Sequence, residues 1–258
     1  MNIKAFSLVG EKAFFIFTSM QQTTKAIVLK TIKYGDNSLI VKLYTASSGL
    51  KSYMLNGVLS RKKGKFNKAH FLPLSQLEIV AQHRDKGNLE RLIEAKLSYP
   101  YQTAHTHMAK NAIVLFLSEF LSNAIQEETE NKELFSFIET ALQWLDHEDQ
   151  IANFHLFFLV KISKYFGFYP SDNHMDSPYF DLVEGDFCSH AGLNPHMGEP
   201  EISFFKSILG INFDKLNDIK MSQKSRRELI SHLMVYYQHH LDGFKTPKSI
   251  HILNEVFS

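Results

Sequence analysis

Along residues 25–97 apolar and polar side chains alternate with a period of two, and from about residue 104 the period becomes helical. Residues 25–33 (KAIVLKTIK) form a β-branched, apolar run ending in the turn residues Tyr34-Gly35-Asp36-Asn37. Residues 38–45 place Leu39, Val41 and Leu43 on one face and Lys42 and Tyr44 on the other, as in a half-buried strand. Ser47-Ser48-Gly49 is a second turn, and residues 50–57 predict a third strand with Lys51 and Tyr53 on a shared face. Leu77, Ile79 and Ala81 mark a fourth strand. A turn at Asp85-Lys86-Gly87-Asn88 leads to a fifth, on which Leu89, Ile93, Ala95 and Leu97 share a side. Five strands with a long third-to-fourth connection predict a five-stranded Greek-key barrel of the OB type; the strand count alone also admits an SH3-like barrel.

The second pattern predicts helices. In residues 104–125, Met108, Ala112, Phe116 and Phe120 run beside Ile113, Leu117 and Leu121 at helical spacing. Leu134, Ile138, Ala141 and Leu145 repeat the spacing over 132–145, and the Phe- and Leu-rich stretch 150–166 reads as a buried helix. Gly167 stops it and Pro170 forbids its continuation. A further amphipathic stretch covers 201–209. Ser225-Arg226-Arg227-Glu228 has capping-box spacing, followed by Leu229, Leu233, Tyr236 and Tyr237 on one face. Thr246-Pro247 supplies an N-cap and first helical position for a last helix carrying Ile250, Leu253 and Val256. Residues 170–200 lack a period and hold prolines 170, 178, 195 and 200, so they read as a structured loop with a short hairpin around Tyr179-Phe180-Asp181-Leu182. The fold class is therefore α+β: an OB-type barrel over 20–98, then an all-helical domain over 99–258. Met20 reads as a plausible true start, with residues 1–19 an extension; their short run Ala13–Phe17 lacks the length and cleavage site of a secretory signal.

Charge sharpens the division. The 258-residue chain has a net charge of +1, yet residues 1–98 hold 16 Lys/Arg against 6 Asp/Glu, and residues 99–258 hold 12 against 21. Halves of opposite sign argue for two domains with different partners. The single cysteine, Cys188, excludes an internal disulfide framework and fits a reducing, cytoplasmic compartment. The third-to-fourth connection carries the densest charge: Arg61, Lys62, Lys63, Lys65 and Lys68, with Gly64 among them. A phosphate backbone rewards such a cluster through counterion release. In the strands, Lys33, Tyr34, Lys42, Tyr44, Lys51 and Tyr53 interleave cations and rings, although packing is the default role of any one tyrosine.

Catalytic signatures are missing: no phosphate-binding glycine loop, no H-E-x-x-H and no G-x-S-x-G. His105-x-His107 sits at a helix start, and His239-His240, adjacent near a helix end and so pointing about 100° apart, is a poor chelate. His174, Cys188, His190 and His196 fall in the irregular loop, but their spacing matches no usual zinc pattern. The acidic pairs Glu127-Glu128 and Glu148-Asp149 read as solvated loops.

The run Thr24-Lys25-Ala26-Ile27-Val28-Leu29, continuing through Tyr34-Gly35-Asp36-Asn37-Ser38-Leu39-Ile40-Val41-Lys42-Leu43-Tyr44-Thr45 to Ser48-Gly49, Gly57 and Ser60-Arg61-Lys62-Lys63, resembles the bacterial DNA repair protein RecO family. Tyr165-Phe166-Gly167-Phe168 and Lys245-Thr246-Pro247-Lys248-Ser249 are similar as well. The resemblance implies a recombination mediator that is not an enzyme. It would bind single- and double-stranded DNA and anneal complementary strands. It would act with a RecR-like partner and the single-strand-binding protein to help load the RecA recombinase.

By position, the family's DNA-binding region falls on Arg61, Lys62, Lys63 and Lys65, extended by Lys25, Lys30 and Lys42; Lys68, in the same charged connection, is a DNA-binding candidate beside them. The acidic, apolar-ended tail of the single-strand-binding protein would meet a basic rim, supplied by Lys161 and Lys164 or by Lys224, Arg226 and Arg227. Many members carry four zinc-binding cysteines in the loop corresponding to 170–200. Here only Cys188 remains, so no cofactor is expected, and Tyr179, Phe180, Leu182 and Phe187 are candidates to hold the loop by packing. An interaction adaptor that docks on acidic proteins, or an RNA-binding OB protein, would share the basic barrel without annealing activity.

Overall fold

Leu39, Val41, Leu43, Leu77, Ile79 and Ala81 all turn into one apolar core, at most 4% exposed. They do so because five strands close on themselves: β1 (Gln21–Tyr34), β2 (Ser38–Thr45), β3 (Gly49–Leu55), β4 (Gln76–Gln82) and β5 (Glu90–Tyr99), in the order β1-β2-β3-β5-β4. β3 and β5 pair in parallel and the other pairs are antiparallel. That closed five-stranded order is the OB type, and it decides between the two barrels the strand count allowed. This computed structural model describes residues 21–60, 65–83, 89–171 and 173–257.

β5 departs from the expected face. Ile93 is an extra residue in a bulge, since Ala81 lies opposite Leu92 and Val80 opposite Glu94. Leu92 therefore enters the core, while Leu89 and Leu97 stay substantially exposed. A second bulge, at Leu29 of β1, sits between the pairs Val28–Leu43 and Lys30–Lys42. Its carbonyl accepts a hydrogen bond from Ser118 Oγ at 2.6 Å.

The helical region contains α1 (Met108–Ala124), α2 (Lys132–His147), α3 (Phe154–Ile162), α4 (Glu201–Leu209), α5 (Gln223–His240) and α6 (Ile250–Val256). α3 is apolar all round, as its composition predicts, and every residue from Phe154 to Val160 is buried. It continues as a 3-10 turn over Ser163–Phe166 that ends at Gly167 in the left-handed region. Two helix starts differ from expectation. Ser222 caps α5, accepting from Ser225 N, because it and not Ser225 has extended backbone. α6 begins at Ile250 after Ser249, so Thr246-Pro247 lies in the preceding loop. Met108, placed with the apolar face of its helix, is exposed at the first turn. No helix among the described residues is long and apolar enough to cross a membrane.

The segment 170–200 is more ordered than a loop. It holds a three-stranded sheet of β6 (Tyr179–Asp181), β7 (Phe187–Cys188) and β8 (His196–Met197), in the order β7-β6-β8. Phe180, Leu182 and Phe187 are buried, with Phe180 and Phe187 packing on Phe205 of α4. Asp181 ties the sheet together: its carboxylate accepts from Val183 N, Glu184 N and Asn194 Nδ2.

Barrel and helices meet over a polar latch. Asp146, at the end of α2, accepts from the backbone N–H groups of Gln102, Thr103 and Ala104 at 2.8–3.0 Å. Burial would raise its pKa, but these donors outweigh burial and hold the carboxyl below its ordinary value. Lys110 Nζ, also buried, donates to the Asp146 carbonyl at 2.7 Å. Gly49 is required at the same seam. Its φ is +62°, and a Cβ there would lie 2.4 Å from the Thr129 carbonyl oxygen.

Candidate nucleic-acid interface

Alternation gives β1, β2 and β3 an outer face as well as a core face, and the register fixes its rows. Tyr44 lies opposite Ile27 and Leu50; Lys42 opposite Lys30 and Ser52; Ile40 opposite Ile32 and Met54. The first row is covered by the helices: Ile27, Leu29 and Tyr44 belong to the helical core, and Tyr44 Oη donates to the Asn131 carbonyl. In the other rows Lys30, Ile32 and Tyr34 are exposed, and Lys42, Ser52, Ile40 and Met54 are half-buried. Ile32 is 42% exposed and Tyr34, one row further, 54%. Arg91 of β5, also exposed, adjoins this surface opposite Met54.

The bulge at Leu29 creates the charged row. In an unbroken strand Lys30 would share the side of core residue Val28. The extra residue resets the phase, so Lys30 turns outward directly opposite Lys42. Like charges in directly opposed positions are destabilising. Among the described residues, neither lysine has a carboxylate within ion-pair distance, and the same holds for Arg91. Glu119 on α1 feels Lys30 at longer range. Burial pushes the Glu119 carboxyl up, but hydrogen bonds from Ser249 and Lys248, with Lys30 adding to them, bring it below the ordinary value.

The predicted basic residues therefore divide. Lys30 and Lys42 come together. Lys25, on the same strand, is instead engaged by Glu139 of α2 at 2.9 Å. Lys51, which is largely buried, pairs with Glu128 at 3.1 Å. Lys65 borders a different cavity of about 270 Å³, with Phe66, Glu78, Glu94 and Lys96 on its wall. Lys68 is exposed on a 3-10 turn (Lys68–Phe71) tied to β1 by Thr31 Oγ1 donating to the Phe71 carbonyl at 3.0 Å. Arg61, Lys62 and Lys63 lie outside the described residues, as do residues 1–20 and the turn predicted at 85–88. The described flanks of the basic connection go different ways: Leu59 N donates to the Asn37 carbonyl in the β1–β2 turn, at the end of the open face, whereas Lys65 and Phe66 border β4 and β5. The expected interleaving of rings and cations does not form. Tyr44 and Tyr53 are buried by packing, and Tyr53 Oη is 2.7 Å from His83 Nε2. Ile32, Ile40, Met54 and Arg91 were not singled out in the sequence, although period two from Lys42 reaches Ile40.

The five cations expected in the helical region fall in two places. Lys161 Nζ donates to the Leu209 carbonyl at 3.0 Å and lies over the Phe157 and Tyr169 rings. Burial, with Lys164 nearby, lowers its pKa. Lys164 is exposed. Lys224 and Arg227 are exposed on α5, and Arg226 between them donates to the Met221 carbonyl at 2.8 Å. Arg226 and Arg227 line a narrow groove with Leu253, Asn254 and Phe257 of the α6 segment. Beneath it lies His155, whose pKa burial lowers to about 3, with Arg226 contributing. In the 170–200 segment, Cys188 Sγ donates to the His190 carbonyl at 3.3 Å. Among the described residues no three His, Cys, Asp or Glu side chains are grouped to hold a metal ion.

An OB-type barrel with an open cationic row, joined to a helical region, defines the architectural class, and comparison with known proteins narrows it. The family model described as Recombination protein O N terminal matches residues 20–101, and that described as Recombination protein O C terminal matches 105–249. The DNA repair protein RecO of Christiangramia forsetii is 48% identical over 234 residues, covering 91% of this chain and 98% of that protein. Those of Flavobacterium psychrophilum and Flavobacterium johnsoniae are 46% and 47% identical, each covering 93% of this chain and all of the relative. The chain belongs to the RecO family of DNA repair and recombination proteins, which are recombination mediators and not enzymes.

Proposed function

We propose that this protein binds single- and double-stranded DNA, anneals complementary strands and helps load a RecA-type recombinase, with the β1–β2–β3 face and the adjoining basic connection as its DNA path. The observation that carries the reading is the Lys30–Lys42 pair, two cations held side by side with no carboxylate at ion-pair distance among the described residues. A polyanion relieves their repulsion and releases its own counterions. Arg61, Lys62, Lys63, Lys65 and Lys68 extend the path as the next cations along the chain from Leu59, whose N–H meets the Asn37 carbonyl in the β1–β2 turn. Lys25 lies outside the path, being held by Glu139.

The helical region takes protein partners: the acidic tail of single-strand-binding protein and a RecR-like protein. For the tail, the α5–α6 groove suits the chemistry better than the Lys161–Lys164 site. Arg227 is exposed there and lines the groove with the apolar Leu253 and Phe257, whereas the Lys161 ammonium already serves the Leu209 carbonyl. The test is annealing of complementary oligonucleotides, bare and coated with single-strand-binding protein. Changing Arg61, Lys62, Lys63 and Lys65 together to Ala should abolish most annealing while circular dichroism stays native; full retention would contradict the reading. Arg227→Glu should weaken capture of the acidic tail peptide, and Lys164→Glu should not.

A further inference from the structure

The open face is floored by aliphatic side chains. Ile32, Ile40 and Met54 form one cross-strand row beside the Lys30–Lys42 row, with Arg91 at its edge. The rings of the barrel are committed elsewhere. Tyr44, Tyr53 and Phe71 are buried, Phe66 packs edge-on against Phe71, and Tyr99 against Tyr101. Tyr34, at the far end of β1, is the one barrel ring more than half exposed among the described residues. Residues 61–64 and 84–88 contain no aromatic residue in their sequence.

Proteins that grip single strands without sequence preference do so by stacking successive bases on aromatic rings. Each stacked base must be released before it can pair, and the stacking strengths usual for such sites correspond to roughly 5- to 150-fold in equilibrium per base. An aliphatic floor contacts a strand without that hold. Resting on the DNA-binding reading above, we infer that Ile32, Ile40 and Met54 determine strand specificity. They support a strand whose phosphates face Lys30, Lys42 and Arg91, and they leave its bases unstacked and free to pair. The face accordingly has little preference between a single strand and the duplex that annealing produces, so pairing proceeds on the protein.

The test installs the missing ring. Ile40→Trp places an indole on the outer face of β2, and Met54→Trp places one on the adjacent strand, guarding against a folding defect in either variant. Both should raise single-strand affinity about 10-fold, leave duplex affinity within about twofold, and slow annealing at saturating protein. The wild type should bind single strands and duplexes of equal length within about tenfold of each other. A Trp variant that binds DNA normally with an unchanged single-strand-to-duplex ratio would overturn the inference alone. A wild type that already prefers single strands 100-fold would do the same. No DNA binding by either would overturn the underlying reading and this inference with it.

Discussion

The barrel has two outer surfaces built by the same alternation, and they treat charge in opposite ways. Across β4 and β5, opposite charges face one another: Glu78 lies opposite both Lys25 and Lys96, and the Lys96 ammonium sits 2.6 Å from its carboxylate. Glu139 adds a second carboxylate for Lys25. Across β1, β2 and β3 the charged row is Lys30 against Lys42, followed by aliphatic side chains. The large positive excess of the first 98 residues is thus partly cancelled by the helical region, whose Glu139 and Glu128 pair with Lys25 and Lys51. What marks a binding face is the cation whose neighbours leave it uncompensated.

The comparison presupposes that the helices stay seated on the covered part of the face, and the Asp146 latch is where that can be broken hardest. Asp146→Ala strands three backbone donors and should cost about 3 kcal/mol of unfolding free energy, measured by denaturant titration. The same group gives a pH dependence. Its folded pKa lies below the ordinary 3.8, so its stabilisation is complete above that value and is lost as pH falls through the folded one. Thermal melts should therefore show a steeper decline below about pH 4 in the wild type than in Asp146→Ala.

Next in size is charge reversal on the open face. Lys30→Glu with Lys42→Glu should weaken single-strand binding about 100-fold at low salt, with the barrel intact, because two attractive contacts become repulsive. Gly49→Ala should destabilise by about 2 kcal/mol, combining a left-handed backbone with the clash at Thr129. The smallest effect belongs to the neutralised surface. Glu78→Gln with Lys96→Gln should change DNA affinity less than twofold, measured by anisotropy.

How much of this the sequence carried depends on which interactions decide each feature. Strand positions such as Leu39, Val41 and Leu43 were legible because burial alone sets their period, and α3 because its composition is apolar on every side. The bulges at Leu29 and Ile93 were not: an extra residue is a property of the pairing with another strand, and one strand read alone shows only a plausible alternation. That is why Lys30 was recognised as basic but not as the partner of Lys42. The loss of Lys25 and Lys51 to Glu139 and Glu128 depends on contacts more than 70 residues apart in the chain. The caps at Ser222 and Ser249 shifted by a few residues because several serines and threonines compete locally and tertiary packing chooses among them.

The most direct measurement is the salt dependence of single-strand binding for two double variants. Lys30→Ala with Lys42→Ala should lower the slope of log affinity against log salt by about 1.4, the loss of two phosphate contacts on a single strand. Lys25→Ala with Lys96→Ala removes the same formal charge from the compensated surface and should leave the slope unchanged. Equal slopes for the two variants would contradict the claim that position on the open face, and not barrel charge as such, binds DNA.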